Sequence, residues 1–380
     1  MIDIHLYVRH FSTEGDRHHD GIVKAVHGLA AGLVAAGATV RVLSESSATD
    51  NTSLITAAGY TLKCFANPIQ TRPSFQVSLR LKAYIRRLPP CSLVILNGIF
   101  HASVYAMSRL CRKANVPYII APHDVYSPPM FAKNPHLKWT YWWLLEKQML
   151  QRAEAVQVLE VRQGEWLRRL GVRTPILTVP NGTTIEPEMS LQWHRNSIAK
   201  LFFFGRIDRH HKGLDLLLEA VQIVSRETPV DLVLQGSDQG DRLTLERQAQ
   251  RLSLAITFLE PEYEQTPISV LNNYDIFCLP SRFEGFGLAA LEAMMAGRVL
   301  VVSEVAGIAP HVQASGCGVV VQPTATAIAT GLIELLQRRH EWKTMGLQGR
   351  RYAVENLGWN RIGAIALKEY VNVLATSTNI

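Results

Sequence analysis

The stretch EGFGLAALE begins at Glu284 and ends at Glu292, and it combines two carboxylates with three small residues. Gly285, Gly287 and Ala290 form the pattern G-x-G-x-x-A. Glycines let a phosphate approach the backbone closely, and a helix that begins near Gly287 would direct free N–H groups at it. The framing carboxylates would accept hydrogen bonds from hydroxyl groups. A ligand with hydroxyls on both sides of a diphosphate, such as a nucleotide sugar, therefore fits this stretch.

The same glycine spacing occurs in dinucleotide-binding turns, so an NAD-linked oxidoreductase is the first rival interpretation. In an NAD fingerprint the first glycine follows its strand almost directly, and the unit usually opens the domain. Here Ser281–Glu284 separate the predicted strand from Gly285, and the unit lies late in the chain. Glu304 stands at only a loose spacing for the acidic residue that binds the ribose. The position therefore favours a phosphate ligand other than NAD.

Two cations follow another predicted strand in FFFGRIDRHHKGLDLLLEA. Arg206 and Lys212 flank a short loop between a strand that ends at Gly205 and a helix that begins near Gly213. Cations at a strand end suit a diphosphate, because they neutralise the charge that develops on a leaving group. The two histidines of this loop have no partner residues at metal-ligand spacing, so we predict no metal site.

In the first half of the chain, IIAPHDVYSPP places His123 and Asp124 just past a predicted strand. Ligands of doubly wound sheets bind outside the carboxyl ends of the strands, which favours a functional position for His123. A loop that feeds a helix lies nearer the N-terminus, and Gly15 or Gly21 there could offer backbone amides to a phosphate or an acceptor.

Short apolar runs alternate with helical patterns along the chain, which predicts buried parallel strands and a doubly wound α/β fold. The predicted strands are 2–8, 39–44, 92–97, 117–122, 155–160, 176–180, 200–205, 231–236, 255–259, 275–280, 299–303 and 318–322. An open twisted sheet rarely exceeds ~10 strands, so we expect two sheets of about six.

A polar stretch without periodicity separates the two sets of strands. We therefore predict an N-terminal Rossmann-like domain over 1–190 and a C-terminal nucleotide-sugar-binding domain over 191–362. The two domains would face a cleft. A helix is predicted over 359–377.

The composition places the chain among globular cytoplasmic proteins. Hydrophobic residues make up 47% and charged residues 19% of the 380 residues, and the five cysteines form no C-x-x-C pair. The N-terminus begins as a strand without a signal-peptide layout, and the least polar run, 25–40, is too short to span a membrane.

A formal net charge of +7 favours anionic partners, but no Lys/Arg run is dense enough to predict nucleic-acid binding. A non-catalytic protein that binds polyanions or a membrane surface is the second rival interpretation. The aromatic and basic segment 137–148, LKWTYWWLLEKQ, is compatible with peripheral contact at the inner face of the plasma membrane and with a lipid-diphosphate acceptor. Its tryptophans could equally pack inside the protein.

SRFEGFGLAALEAMMAG closely resembles the E-x(7)-E signature of the retaining GT-B glycosyltransferases of family four, also called group 1. The G-R-x(5)-K-G pattern, the His-Asp segment and VPNG at 179–182 resemble further segments of that family. VPNG, G-R-x(5)-K-G and EGFGLAALE follow one another in the order typical of the family. The resemblance implies that Glu284 and His123 lie at the donor sugar, that Glu292 contacts the ribose, and that Arg206 and Lys212 bind the diphosphate. The other residues implied to bind the donor are Gly21, Gly205, Gly285, Phe286, Gly287 and Leu288. Because the last helix of GT-B members crosses back to the first domain, the resemblance also implies that residues 363–380 complete the N-terminal domain.

Three features depart from the family pattern or bear on its chemistry. The family usually shows a Gly-Gly pair where this chain has HDG, which weakens the assignment of Gly21. Glu260-Pro261 stands where a glycine commonly lies next to the base. No Asp-x-Asp occurs, so the metal-binding carboxylate clamp of other glycosyltransferases is absent.

The resemblance implies transfer of a hexose from a nucleotide diphosphate sugar to a hydroxyl acceptor, with retention and without a metal or another cofactor. UDP-glucose is the donor expected from its frequency in the family. The expected acceptor is a lipid-linked or polysaccharide saccharide, as in bacterial exopolysaccharide assembly.

Overall fold

The computed structural model describes residues 2–11, 21–46, 50–67, 75–132, 134–185, 193 and 198–377. The chain forms two compact units, each with its own sheet. Unit 1 comprises Met1–Thr184 and Gly358–Ile380, and unit 2 comprises Ile185–Leu357. The chain therefore re-enters unit 1 at Gly358, slightly before position 363.

Unit 1 contains an eight-stranded sheet. Its strands are β1 (Asp3–Tyr7), β2 (Thr39–Ser46), β3 (Thr52–Ile55), β4 (Thr61–Ala66), β5 (Ser92–Asn97), β6 (Tyr118–Ala121), β7 (Ala155–Val158) and β8 (Ile176–Thr178). The order across the sheet is β3-β4-β2-β1-β5-β6-β7-β8. All neighbouring strands are parallel except β3 and β4, which pair antiparallel.

The prediction of about six strands for this sheet is wrong because it lacks β3 and β4. All four residues of β3 are exposed, and β4 carries Lys63 and Cys64 between its apolar residues. An edge hairpin of this kind has no continuous apolar run, so the pattern that indicates buried parallel strands does not detect it.

The helices of unit 1 cover both faces of its sheet. They are α1 (Gly21–Ala35), α2 (Leu79–Ile85), α3 (Ala102–Lys113), α4 (Pro128–Ala132), α5 (Pro135–Tyr141), a π-helical segment (Trp142–Glu146), α6 (Lys147–Gln151) and α7 (Val161–Arg169).

The C-terminal helix of the chain, Trp359–Ser377, packs against α1 through glycines. A Cβ atom on Gly28 would lie 2.0 Å from the ring of Trp359, and one on Gly32 would lie 2.1 Å from the Trp359 carbonyl oxygen. Gly363 approaches the Gly32 backbone in the same way. Side chains at these positions would separate the helices, so the small residues explain why the end of the chain belongs to unit 1.

Unit 2 contains a six-stranded sheet with the order β11-β10-β9-β12-β13-β14, in which all neighbours are parallel. Its strands are β9 (Ala199–Phe204), β10 (Val230–Gln235), β11 (Ile256–Leu259), β12 (Ile276–Leu279), β13 (Val299–Ser303) and β14 (Gly318–Val321). Its helices are α8 (Leu214–Val224), α9 (Arg242–Arg251), α10 (Pro267–Leu271), α11 (Leu288–Met295), α12 (Ala309–Ser315), α13 (Ala325–Gln337), a 3₁₀ turn (Arg339–Glu341) and α14 (Trp342–Asn356), and the C-terminal helix of unit 1 is α15.

The topology of unit 2 brings two separate loops together. β9 lies between β10 and β12, so the strand order reverses at the β9–β12 pair. In an open α/β sheet the crevice at such a reversal, beyond the carboxyl ends of the strands, is where ligands bind. The loops after β9 and β12 are those that carry the predicted cations and the EGFG turn. The two parallel-sheet units confirm the predicted doubly wound α/β class.

Candidate active site

An ion pair joins the loop after β9 to the loop after β12. The Lys212 Nζ atom lies 2.5 Å from Glu284 Oε2. The two side chains are only 13% and 14% exposed, respectively. An ion pair this well shielded from water interacts more strongly than a surface pair, and each partner fixes the position of the other. The structure thus brings together the residue predicted to lie at the donor sugar and one of the two predicted to bind the diphosphate.

Glu284 is held in its ionised form. Burial alone would raise its pKa, but the Lys212 ammonium, His211 and the Ser281 hydroxyl together lower that pKa below its usual value. Ser281 donates a hydrogen bond of 3.2 Å to the same oxygen, Oε2, that Lys212 contacts. A carboxylate in this state accepts hydrogen bonds from hydroxyl groups.

His211 forms a wall beside the ion pair. Its ring stacks on Phe283, with the ring centres 4.1 Å apart. Burial, followed by the nearby Lys212 charge, lowers the pKa of His211 to about 4, so the ring is neutral at pH 7. The described residues contain no group of three or more His, Cys, Asp or Glu side chains that could hold a metal ion.

A second ion pair, between Arg282 and Asp215, fastens the two loops to each other. The Arg282 guanidinium donates to both carboxylate oxygens of Asp215, at 2.7 and 2.8 Å, and to the His210 carbonyl oxygen at 3.0 Å. The Arg282 amide also donates to the His211 carbonyl oxygen at 3.0 Å. The sequence reasoning missed this Arg282–Asp215 clamp; its only signal was an arginine before EGFG and an aspartate in the first turn of α8.

Gly287 provides the sharp turn from which α11 begins. Its φ is +98°, and a Cβ atom there would lie 2.7 Å from Leu279. The backbone N–H groups of Leu288 and Ala289 have no hydrogen-bond acceptor within the described part of the chain. Free amides at the positive end of a helix suit an anionic oxygen, as the sequence predicted for this turn.

The turn is braced from the side by the loop after β13. Ile308 donates its amide to the Phe286 carbonyl oxygen at 2.8 Å, and Phe286 is buried. Gly307 packs so closely that a Cβ atom on it would lie 2.5 Å from the Gly285 carbonyl oxygen. Glu292 lies half-buried in the second turn of α11. The backbone of this turn is therefore fixed in shape.

Arg206 is an exposed cation at this edge. It directly follows Gly205, and its side chain forms neither a hydrogen bond nor an ion pair with any residue that the structure describes. Its charge lies close enough to lower the pKa of His211. Gly205 sits at the end of β9, where its backbone approaches that of Gly236 too closely for a side chain on Gly236.

Hydrogen bonds hold Glu260, which stands where the family commonly has a glycine. Glu260 follows β11, and its carbonyl oxygen accepts a hydrogen bond of 3.1 Å from the Gln235 side chain. Its exposed carboxylate accepts one of 2.7 Å from Arg242. The loop after β11 is thereby attached to the end of β10 and to α9.

At the carboxyl edge of the unit 1 sheet, His123 is held by Asn97, the last residue of β5. His123 Nε2 and Asn97 Oδ1 are 2.7 Å apart, and the Asn97 side chain donates to the Tyr7 carbonyl oxygen at 2.9 Å. The φ of His123 is +60°, an uncommon value for a residue other than glycine. His123 thus lies where the carboxyl ends of β1, β5 and β6 meet.

Of the two glycines predicted to offer backbone amides to a ligand, Gly15 and Gly21, the structure describes Gly21. Gly21 is the exposed first residue of α1. Gly15 lies outside the described residues.

Glu146 is a buried carboxyl group at the same edge of unit 1, and the sequence reasoning did not identify it. Its Oε1 atom accepts hydrogen bonds from the Tyr126 hydroxyl at 2.6 Å and from the Phe100 amide at 3.1 Å. Burial raises its pKa to about 7, although these two hydrogen bonds act in the opposite direction. Glu146 therefore joins the loops after β5 and β6.

Comparison with protein families gives two matches. Residues 20–182 match the family described as "Glycosyl transferase 4-like domain". Residues 199–338 match the family described as "Glycosyl transferases group 1". The second match contains the Lys212–Glu284 pair and the EGFG turn.

Sequence relatives include several mannosyltransferases. A phosphatidyl-myo-inositol mannosyltransferase of Mycobacterium tuberculosis is 28% identical over 215 residues, which cover 53% of this chain and 55% of that protein. An MMP alpha-(1->4)-mannosyltransferase of Mycolicibacterium hassiacum is 29% identical over 168 residues, or 43% of this chain and 41% of that one. The chain thus spans about half the length of the curated relatives it matches.

Solved structures resemble the chain over nearly its whole length. Sucrose-phosphate synthase from Thermosynechococcus elongatus superposes with a TM-score of 0.73 at 20% identity, covering 99% of this chain and 100% of that one. Anabaena HepE in complex with UDP and glucose gives a TM-score of 0.71 at 16% identity, covering 98% and 100%. At such identities the likeness concerns the fold, and it confirms the predicted GT-B class.

Proposed function

Because the chain belongs to the group 1 glycosyltransferases of family four, we propose that it transfers a hexosyl group from a nucleotide diphosphate sugar to a hydroxyl acceptor. The observation that carries the proposal is the shielded Lys212–Glu284 pair at the β9–β12 reversal, next to the free amides of α11. This edge offers a cation for a diphosphate and a carboxylate for sugar hydroxyls within 2.5 Å of each other.

The cations and the helix end would bind the diphosphate. Lys212 and Arg206 supply positive charge, and the amides of Leu288 and Ala289 supply hydrogen-bond donors that are already in place. When the glycosidic bond to the phosphate breaks, negative charge grows on the leaving oxygen, and preorganised donors stabilise it most at that moment. Gly205, Gly285, Phe286 and Gly287 would let the backbone approach the donor, and Gly21 is assigned to the same ligand on the family resemblance alone.

The carboxylates would orient the two sugars of the donor. Glu284 is ionised and fixed, so it accepts hydrogen bonds from hexose hydroxyls, and Glu292 would do the same for the ribose. His123, positioned by Asn97, would contact the hexose. Each of these assignments predicts that the carboxamide or alanine variant weakens donor use without unfolding the protein.

We propose that the reaction retains the anomeric configuration by a front-face route. The bond between the anomeric carbon and the diphosphate oxygen breaks, and a bond from the acceptor oxygen forms on the same face. The acceptor hydroxyl proton passes to the leaving diphosphate oxygen, so the products are a nucleoside diphosphate and a glycoside. Glu284 is engaged by Lys212 and Ser281, which supports an orienting role rather than a nucleophilic one.

The donor and acceptor are assigned by class. We propose UDP-glucose as the donor; GDP-mannose is the second donor to test, because one relative is named as a GDP-mannose-dependent mannosyltransferase. A lipid-linked or polysaccharide saccharide is the proposed acceptor, in a role such as exopolysaccharide assembly. No metal or other cofactor enters this proposal.

We further propose peripheral contact with an anionic membrane through segment 137–148. Leu137, Trp143 and Leu144 are exposed there, and the Lys147 ammonium lies 4.5 Å from the centre of the Trp143 ring. Tryptophan and lysine side by side are typical of a membrane–water interface. Trp142, in contrast, is fully buried, and within the described ranges no helix is long and apolar enough to span a membrane.

A nucleotide-sugar hydrolysis screen tests the proposed reaction. We expect slow release of the nucleoside diphosphate from UDP-glucose without any acceptor, and an unchanged rate after treatment with EDTA. A large loss of rate in EDTA would contradict the metal-free mechanism. Thermal stabilisation by NAD, without stabilisation by UDP, GDP or ADP, would favour the oxidoreductase. Salt-sensitive binding to vesicles or nucleic acid without donor binding would favour the non-catalytic alternative.

A further inference from the structure

A cationic cavity of about 570 Å³ lies in unit 1 at the amino ends of β1, β2 and β4. Asp3 begins β1, and Arg41 and Lys63 lie near the starts of β2 and β4. Pro89, which precedes β5, forms part of the rim. His123 lies at the opposite, carboxyl edge of the same sheet, so the cavity is separate from the residues assigned to glycosyl transfer.

The charges around the cavity do not balance. Eleven of the described residues line it, and four of them carry a positive charge, namely Arg41, Lys63, Arg80 and Arg87. Among these eleven, Asp3 is the one acidic residue. It forms an ion pair with Arg41, and its Oδ2 atom lies 3.3 Å from His5 Nε2. Three cations therefore remain without a carboxylate in the wall.

Two of these cations come from α2 and from the turn that follows it. Arg80 lies in the first turn of α2 and Arg87 in the turn after α2, seven positions later, so both are placed on the same side of this segment. Within the described residues, neither guanidinium forms an ion pair or a side-chain hydrogen bond. Lys63 adds a third cation, 5.7 Å from the centre of the Tyr84 ring.

The cavity wall behind the cations is rigid. The Tyr84 hydroxyl lies 3.3 Å from the Nδ1 atom of His5, which is fully buried. The Tyr84 ring also packs against Phe65, with the centres 5.5 Å apart. A preorganised wall lowers the entropy lost when a ligand binds.

We propose that this cavity binds a phosphate group of a small ligand, independently of the glycosyl-transfer site. Arginine forks match phosphate geometry, and three cations balance a dianionic ester with charge to spare. Its volume suits a ligand of a few carbon atoms or a headgroup. The phosphate can belong to a soluble monoester or to the diester headgroup of a lipid, and two probes distinguish these sources.

Isothermal titration calorimetry at low salt tests the site with glycerol 3-phosphate, a monoester, and glycerophosphoglycerol, a deacylated lipid headgroup. We expect Arg80→Gln/Arg87→Gln to weaken binding by about tenfold for each arginine removed. Both side chains are exposed, so the far-ultraviolet circular dichroism of this variant is expected to stay unchanged. Preference for the first probe indicates a soluble ligand, and preference for the second a lipid headgroup.

Two comparison variants make the test specific. Arg109→Gln/Lys113→Gln removes two exposed positive charges from α3, and Arg206→Gln removes an exposed cation from the proposed donor site. We expect both to bind the probes as the unmodified protein does. The proposal is wrong if neither probe binds the unmodified protein at millimolar concentration, if the α3 variant loses as much affinity as the cavity variant, or if only Arg206→Gln abolishes binding.

Discussion

At the carboxyl edges of the two sheets, loops that follow neighbouring strands are joined to each other, but by different kinds of interaction. Across the described residues, the loops after β9 and β12 in unit 2 are joined by two ion pairs, Lys212–Glu284 and Arg282–Asp215. In unit 1 the Asn97–His123 hydrogen bond joins the end of β5 to the loop after β6, and Glu146, whose pKa burial raises to about 7, joins the loops after β5 and β6. One edge is charged, and the other is held mainly by neutral hydrogen bonds.

The difference indicates what each edge is prepared to bind. A charged, partly shielded edge needs little reorganisation to accept a diphosphate, because its cations and amides are already in place. The hydrogen-bonding side chains at the other edge match the hydroxyl groups of a ligand. The contrast therefore agrees with a diphosphate at unit 2 and a hydroxyl-bearing ligand at unit 1, as the proposed function requires.

The largest effect is expected when the charged edge loses its central cation. Lys212→Ala should lower the rate of transfer by about 10²–10³-fold, because the leaving diphosphate loses a preorganised positive group. The kcat for nucleoside diphosphate release measures this effect. Lys343→Ala, which removes an exposed lysine from α14 in the same unit, is the matched control and should keep full activity.

A second variant separates chemistry from folding. Lys212→Ala leaves Glu284 shielded without its cation, which destabilises the fold. Lys212→Ala/Glu284→Gln removes that unpaired charge, so it should recover thermal stability while staying inactive. Recovery of activity together with stability would show that Lys212 acts only through folding, and the charged edge would then lose its proposed role.

A smaller effect is expected from the Arg282–Asp215 clamp. Arg282→Lys keeps the charge but cannot form the bidentate contact, so the two loops lose their fixed spacing. We expect kcat/KM to fall by about tenfold, with an equal loss in Asp215→Asn and little further loss in the double variant. Arg251→Lys, at the exposed end of α9, is the control. Additive losses in the double variant would contradict coupling through the clamp.

Particular residues explain what the sequence could and could not predict about these edges. Gly213 and Gly287 directly precede α8 and α11, as predicted, because glycine next to an apolar helical pattern is a local signal. The Arg282–Asp215 clamp joins residues that lie 67 positions apart, so only the order of β9 and β12 in the sheet brings them together. A single sequence read locally contains no signal for that pairing.

Glu146 shows a second reason why a functional residue can escape prediction from the sequence. In LKWTYWWLLEKQ it is flanked by leucine and lysine and reads as an ordinary surface residue. The π-helical turn over Trp142–Glu146 instead buries its side chain. Likewise, the exposed residues of β3 give no apolar pattern, although the strand extends the sheet by one position.

The smallest effect on transfer, and a clear effect on stability, is expected at the neutral edge. The pKa of Glu146 is raised from 4.5 to about 7, so between these values the folded state binds a proton that the unfolded state has released. Its contribution to the free energy of unfolding is therefore complete below pH 4.5 and is lost as pH rises through about 7, a change of about 3 kcal/mol.

Glu146→Gln places a permanently neutral side chain at this position and should remove that pH dependence. We expect the variant to gain thermal stability over the unmodified protein on going from about pH 5 to about pH 8, with transfer changed by no more than about twofold. Glu165→Gln, an exposed carboxylate on α7, is the control and should follow the unmodified protein. If the stability of Glu146→Gln also changes with pH as that of the unmodified protein does, Glu146 is ionised in the folded state and the two edges do not differ in the way proposed.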